Sequence, residues 1–508
     1  MPLLLGLDLG TTSLKAVLYD SDSGLILRTA ARPTPVDHPR EGWSEHDPQA
    51  LWQAVVSVIR EAAQGQPVAG LAISSMAEAG VLVDKDGNAL TPIIAWFDRR
   101  SEPQAAWIEK TIPVDELFRI TGQRVSPSFG VVKLLWLRDN MPQVYRQGAR
   151  WLPVPSYILW RLTGALAVDY TIAARTLLFD QRTLDWSRTL LEAFDLPPSL
   201  FPPVFPGGRI VGDLTPQAAE ETGLPRSTLC ALGGHDHLCA TFAGGAHTTG
   251  AVTDSSGSAN ALLMLMPRFM PDAALGERGY ASYAYVLRDL YVLKGGLKAA
   301  GNAIDWVARQ LSPGESGPRY AELEALAAEG VGRRAGPVWL PHWIGSGTPE
   351  GDRFSRAALV GVEFEHGRGD IFRGLLEGLA FWTRHNLEEM QAITQAGLDS
   401  LTLIGGVTRI RLLSQLKADV LNRPVMVPQI PEAAATGAAL LAGLGAGVFS
   451  TPFEATSSPH YGHTQIDPIS AHVAWYEALY HQVYRPLYAA LAPVNHALEQ
   501  LNNSGEAT

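Results

Sequence analysis

Residues 3–20 read LLLGLDLGTTSLKAVLYD, an apolar run of strand length that breaks at Asp8-Leu9-Gly10-Thr11-Thr12-Ser13 and resumes with Leu14, Ala16, Val17, Leu18 and Tyr19. Two strands joined by a glycine and hydroxyl residues make a hairpin whose tip exposes backbone N–H groups. Small residues let backbone approach a phosphate, and the hydroxyls add donors. Asp8, at the mouth, is placed to hold a hydrated Mg²⁺, a hard cation that favours carboxylate and water. An ordinary N-terminal hairpin with a polar turn would carry the same pattern.

Working outward, residues 250–265 (GAVTDSSGSANALLML) repeat that pattern: a strand, a small-residue turn at Ser255-Ser256-Gly257-Ser258, and a second apolar strand. Two such hairpins, about half a chain apart, predict duplicated halves facing each other across a cleft. The length of 508 residues agrees, being too long for one core. The chain is 46% hydrophobic and 18% charged, with net charge −11 and no basic block, which speaks against nucleic acid or an anionic membrane as partner. Cys230 and Cys239 cannot form a disulfide framework, so a reducing cytoplasm is expected. Leu3–Leu7 lacks a basic flank and is cut short by Asp8, unlike a signal peptide. The apolar stretch Ala433–Phe449 is shorter than a membrane span and fits a buried, closely packing helix.

Between the hairpins, Leu25–Ala31 reads as a third strand, and Asp47-Pro48 opens a helix to about Ala63. Val68–Ser74 is a strand ending at Ser75-Met76-Ala77-Glu78, and Ile93–Trp96 another ending at Phe97-Asp98. Carboxylates at strand ends, as Glu78 and Asp98 are, stand where α/β proteins place ligand contacts. Turn solvation is the plainer reading of each. The strand from Leu229 runs into Gly233-Gly234, and His235-Asp236-His237 follows at a helix start, where Asp236 can accept a hydroxyl proton. A metal site from the two histidines and two cysteines is the rival, but H-x-H at a helix start points the rings apart and no C-x₂-C pair supports it.

Past the second hairpin, Leu290–Leu293 reads as a strand and Gly295–Val307 as the start of a helix. Asp370–Met390 is a strong helix, with Ile371, Leu375, Leu379 and Trp382 on one face. Leu401–Ile404 is a strand ending at Gly405-Gly406, where bare backbone lets a flat base or ribose lie close. Ala471–Leu491 reads as a terminal amphipathic helix broken at Pro486, followed by a frayed end over Asn502–Thr508. No G-x-G-x-x-G follows a first strand into a helix, which excludes a dinucleotide site of that type.

In order and spacing these pieces resemble the FGGY carbohydrate kinase family, of the wider actin- and hexokinase-like fold, from Leu3 to about Phe449. GLDLGTTSLKAVLYD resembles its first phosphate motif. SVIREAAQGQPVAGLAISSMAEAGVLVDKDGNAL with PIIAWFDRR resembles its sugar-site strands, and LIGGVTRIRLLSQLKADVLNRPV with EAAATGAALLAG its adenosine region. Ser128–Asn140 and Gly361–Glu377 resemble its two signatures, with Gly130 and Gly374 as departures. The resemblance implies an α/β fold of two duplicated ribonuclease H-like (actin-like ATPase) domains facing a central cleft. Residues 1–245 would form the sugar side and 246–500 the ATP side.

The resemblance also implies ATP and Mg²⁺ as cofactors and transfer of the γ-phosphate to a hydroxyl of a small ketose or polyol, a xylulose-like pentulose being favoured. Asp236 would be the general base and Asp8 the metal carboxylate. Gly10, Thr11, Thr12, Ser13 and Lys15, with Ser256, Gly257 and Ser258, would face the phosphates, and Gly405 and Gly406 the adenosine. Val407 stands where a third small residue is common. Ala77, Glu78, Trp96, Asp98 and His237 would line the sugar pocket. Ala77-Glu78 agrees fully with neither the Arg-Glu pair of glycerol kinases nor the Met-His pair of xylulose kinases. A homodimer is compatible with the resemblance; nucleic acid and membrane are not expected partners. The alternative is a nucleotide-driven switch of the actin type, which would share both hairpins but has no use for Glu78, Trp96, Asp98 and Asp236.

Overall fold

The computed structural model describes residues 2–505 except 313–316, 318, 333–335, 399–400 and 459. Its first sheet is built on the opening hairpin, β1 (Leu3–Leu9) and β2 (Ser13–Asp20), antiparallel with Leu3 opposite Asp20 and Asp8 opposite Lys15. β3 (Leu25–Pro33) pairs with β2, and α1 (Pro48–Ala63) follows, N-capped by Asp47, whose carboxylate accepts the Ala50 N–H. β4 (Val68–Ser75) lies parallel to β1, and the sheet continues through β6 (Leu229–His235) to the antiparallel edge strand β5 (Ile210–Asp213). Leu5, Leu7 and Leu9 on β1 alternate with side chains pointing to the opposite face, and both faces are covered.

The second sheet repeats this plan. β7 (Val252–Ser256) and β8 (Asn260–Met266) form the hairpin, and β10 (Tyr291–Leu297), flanked by β9 (Ala281–Ala284), pairs with β8. β11 (Leu401–Ile404) lies parallel to β7, then β12 (Val425–Pro428) and the antiparallel edge strand β13 (His463–Ile466). A hairpin, a third strand on one side, two parallel strands on the other and an antiparallel edge thus occur twice. The duplication expected from two hairpins is a duplication of sheet topology.

The halves share a core in which Leu4, Val17 and Tyr19 meet Leu263, Leu265, Tyr283 and Ala439. The Ala433–Gly445 helix, from the second half, lies on β1, β4 and β6 of the first. Its approach is so close that a Cβ at Gly6 would sit 1.8 Å from the Ala435 carbonyl oxygen. Only glycine permits this backbone contact.

Three sequence expectations shift. The second turn lies at Gly257–Ala259, because Ser255 and Ser256 remain in register opposite Ala261 and Asn260. Gly295 and Gly296 are not helical: they pair with Leu262 and Ala261, and the helix begins at Gly301. The terminal helix is not broken at Pro486: Ser470–Leu479 runs on through a π-helical segment at Tyr480–Tyr484 into Arg485–Gly505, with helical backbone at both junctions. Pro486 follows closely on this π segment, a bulge of the kind that interrupts the regular ladder within a helix. The described backbone stays helical to Gly505, and residues 506–508 lie outside the described residues. No described helix is long and apolar enough to cross a membrane.

Candidate active site

Strand ends and helix starts bring the sequence candidates to the junction of the halves. β6 delivers His235, and Asp236 opens the helix Asp236–Ala243. The β6 end is held by a relay: buried Asp169 accepts the N–H groups of Thr171 and Ile172 at 2.8 and 3.1 Å, and the Thr171 hydroxyl accepts the His235 N–H at 2.7 Å. Asp236 Oδ1 accepts the His237 N–H at 2.6 Å and lies 3.2 Å from His235 Nε2. Burial holds His235 well below the usual histidine range, so its ring is neutral. Among the described residues Oδ2 has no hydrogen-bond partner and is left for a ligand. Withdrawal from water and the charge of Glu78 push the Asp236 carboxyl up to about 6, against the His237 N–H, Lys294 and Arg175. A carboxylate with one free oxygen and a pKa near neutrality suits general-base work.

Asp8 faces the same space. It accepts one hydrogen bond, from Ser74 Oγ at 3.3 Å, and burial with the charge of Asp236 pushes it up to about 7, although Lys15 and Ser74 oppose this. Two under-compensated carboxylates at one cleft fit a divalent cation, whose charge would reverse that shift. Among the described residues no group of three or more His, Cys, Asp or Glu could hold a metal, so the rival His/Cys site is not assembled. Both cysteines are buried and free. One carboxylate plus water and phosphate oxygens is, however, a sufficient donor set for Mg²⁺.

The first hairpin tip is braced by Thr34, which donates its N–H to Thr12 O at 3.0 Å and its hydroxyl to Gly10 O at 2.7 Å. Thr11 Oγ1 accepts the Trp96 indole N–H at 2.9 Å, so Trp96, 38% exposed, is tied to the first hairpin tip. Ser13 begins β2. Lys15 reaches across the junction to Glu432 at 2.6 Å. The two line a cavity of about 460 Å³ with Gly244, Gly405, Gly406 and Thr408. Gly405 is required twice over, by φ +98° and because a Cβ would lie 2.3 Å from Ser256 O, whereas Gly406 faces open space. Bare backbone beside such a cavity fits a nucleoside. Val407 is buried in the second core and does not line it.

Other candidates are placed differently. Ser256 is buried, its hydroxyl donating to Asp254 at 2.6 Å, while Gly257 and Ser258 form the exposed side of the turn. Ala77 packs into the shared core. Asp98 is buried with its lone pairs occupied: Oδ1 by Arg100 N and Nε, Oδ2 by Ser44 N and Arg100 Nη2, at 2.6–2.9 Å. It anchors Arg100, which stacks over Trp43, and offers no free oxygen to a sugar. Glu78, at φ +66°, is ion-paired with Arg175, whose Nε lies 2.7 Å from Oε1. His237 Nδ1 bonds Ser255 Oγ at 3.0 Å, joining the start of the Asp236–Ala243 helix to the second hairpin, and His237 lines a cavity of about 340 Å³.

Arg175 and Lys294 were missed by sequence reasoning. Each stands as a lone cation in an apolar run, in TIAARTLLFD and YVLKGGL, which is the signal that could have marked them.

Comparison with known proteins gives two family-model matches: the FGGY family of carbohydrate kinases, N-terminal domain, over residues 3–243, and its C-terminal domain over residues 273–446. A glycerol kinase of Thermococcus onnurineus is 31% identical over 457 residues, covering 87% of this chain and 88% of that protein. A xylulose kinase of Bacillus subtilis is 26% identical over 509 residues, covering 99% and 100%. Among solved structures, xylulose kinase from Rhodospirillum rubrum superposes with TM-score 0.88 at 30% identity, covering 97% of this chain and all of that one.

Proposed function

The chain belongs to the FGGY family of carbohydrate kinases, phosphotransferases with an alcohol group as acceptor, and from that premise we propose that it moves the γ-phosphate of ATP to a hydroxyl of a small open-chain sugar or polyol, of xylulose size, with Asp236 as general base. The observation that carries this reading is the Oδ2 of Asp236, without a hydrogen-bond partner among the described residues, in a carboxylate whose other oxygen accepts the His237 N–H and lies beside His235 Nε2. Asp236 takes the acceptor's hydroxyl proton as that oxygen bonds to the γ-phosphorus and the bond to the ADP oxygen breaks. Transfer of this kind needs mainly positioning and charge neutralisation.

The Gly10–Thr12 tip and the Gly257–Ser258 tip cradle phosphate oxygens, Lys15 exchanges Glu432 for phosphate, and Gly405–Gly406 carry the nucleoside. Asp8 would hold Mg²⁺, which when bound neutralises phosphate charge. Glu78, Trp96 and His237 orient the acceptor, while Ala77, Asp98 and Ser256 shape the walls behind them. We place the division between the sugar side and the ATP side at Gly245/Ala246, and the protein in the cytoplasm.

A coupled ADP-release screen over three- to six-carbon polyols and ketoses tests the reading. Asp236→Asn should lower kcat about 10²–10⁴-fold, the worth of a positioned base. Affinity for Mg·ATP should stay within about twofold, since a base acts on the transition state. Acceptor-independent ATP turnover without a phosphorylated product would favour the actin-type switch instead.

A further inference from the structure

We propose that the acceptor is an open-chain polyhydroxy acid, whose carboxylate is taken by Lys294 while its reacting hydroxyl lies at Asp236. The inference rests on the kinase reading and goes beyond it by naming the acceptor's charge.

Lys294 projects from β10 into the 340 Å³ cavity that His237 lines, beside the base. Among the described residues its ammonium makes no hydrogen bond and no ion pair. The carboxylate that could have partnered it, Glu78, is already neutralised by Arg175. Lys298 and Arg353 line the same cavity, and neither forms an ion pair with a described residue. The one acid on that lining, Asp352, is occupied by His496 at 2.8 Å and Tyr488 at 3.2 Å. That lining is therefore cationic in a protein of net charge −11.

A neutral polyol needs no ammonium. Hydroxyls are met by carboxylates, amides and indoles at little desolvation cost, whereas an unpaired half-buried cation is expensive to keep. Burial and the like charge of Arg175 press Lys294 down to about 8, while Glu78 and Asp236 act the other way. It still carries a proton at neutral pH, and no described carboxylate pairs with it directly. A substrate carboxylate supplies such a partner through a charge-assisted hydrogen bond. The unpartnered Asn260 Oδ1 on the same lining is available to a hydroxyl further along the chain.

The experiment compares pentitols and hexitols with the aldonates of the same carbon number, on wild type, Lys294→Gln and Lys294→Arg, at saturating Mg·ATP. Wild type should favour the acids in kcat/KM. Lys294→Gln should erase about ten- to a hundredfold of that preference, chiefly through KM, as a lost hydrogen bond to a charged group does. Lys294→Arg should retain most of it, which separates charge recognition from a packing defect. Neutral polyols matching or outperforming the acids, or an acid-to-polyol ratio unmoved by Lys294→Gln, would overturn the proposal and leave the kinase reading standing. If neither class is phosphorylated, the kinase reading is judged by the wider screen that includes ketoses and shorter polyols. Calorimetric titration of an aldonate into wild type and Lys294→Gln then decides: binding weakened at least about tenfold in the variant supports the acid site, and equal binding overturns it.

Discussion

In the hairpin at residues 3–20, Asp8 keeps a single hydrogen bond from a neighbouring serine and looks into the cleft. In its counterpart at 252–266, Asp254 is fully buried, gripped by Lys417 at 2.5 Å, Thr383 at 3.2 Å and Ser256 at 2.6 Å. The strands pair in the same way, with a parallel neighbour on the same side. The cations differ. Lys15, across the ladder from Asp8, turns away to Glu432, while Lys417 comes from the Arg411–Leu421 helix and closes on Asp254. One copy of a duplicated hairpin keeps its carboxylate available for chemistry, and the other has turned the same residue type into a structural anchor. Equivalent positions in a duplicated fold need not keep equivalent work, because a single neighbouring lysine changes what the carboxylate can do.

The comparison can be broken most directly at Asp8. Asp8→Asn should lower kcat/KM about 10²–10³-fold, as the loss of one preorganised charge contact does. It should not destabilise the fold. A carboxyl raised in the folded state to about 7 favours the protonated native form, so its charge erodes stability as pH rises from about 4 to 7. The amide removes that erosion, and melting at pH 8 should be unchanged or higher. Reduced melting temperature would show that Asp8 is an anchor after all.

Asp254→Asn makes the opposite prediction. It strands the Lys417 ammonium, 4% exposed, without its counter-charge, and should cost about 3–5 kcal/mol in denaturant unfolding. Part of the transfer activity should survive in whatever remains folded at low temperature. A variant of wild-type stability would erase the distinction between the hairpins.

The smallest effect sharpens the comparison by pH. With the Asp236 carboxyl near 6 in the proposed role of base, kcat/KM for the acceptor should fall about tenfold per pH unit below that value and level off above it. Asp254→Asn should leave that midpoint in place, since Asp254 is no part of the cleft. A pH-rate profile with no break between about 5 and 7 would remove Asp236 from the base's role.

Much of this molecule is legible in its residues. The strand-turn-strand pattern of 3–20, recurring near 252–266, sets the duplicated α/β plan, since alternation and small-residue turns are local properties. The Asp47 cap and the long helix from about residue 368 are equally local. The placing of Asp236 after a strand end, and of Gly405-Gly406 at another, is also local. What only the tertiary structure decided is which side chains are free. Asp98 and Glu78 read alike in sequence, but Arg100 and Ser44 saturate the first and Arg175 neutralises the second, through partners up to 97 residues away. Ser256 read as a phosphate contact and is drawn inward by Asp254, whose partner Lys417 lies 163 residues on. Lys294 stands as a lone charge in a strand until folding sets it near Asp236 with no direct ion-pair partner among the described residues. Hydrogen bonds and ion pairs between distant segments leave no periodicity in the chain. For that reason the sequence determined the scaffold and the candidate residues, and packing of the two halves decided which of them remain available to a ligand.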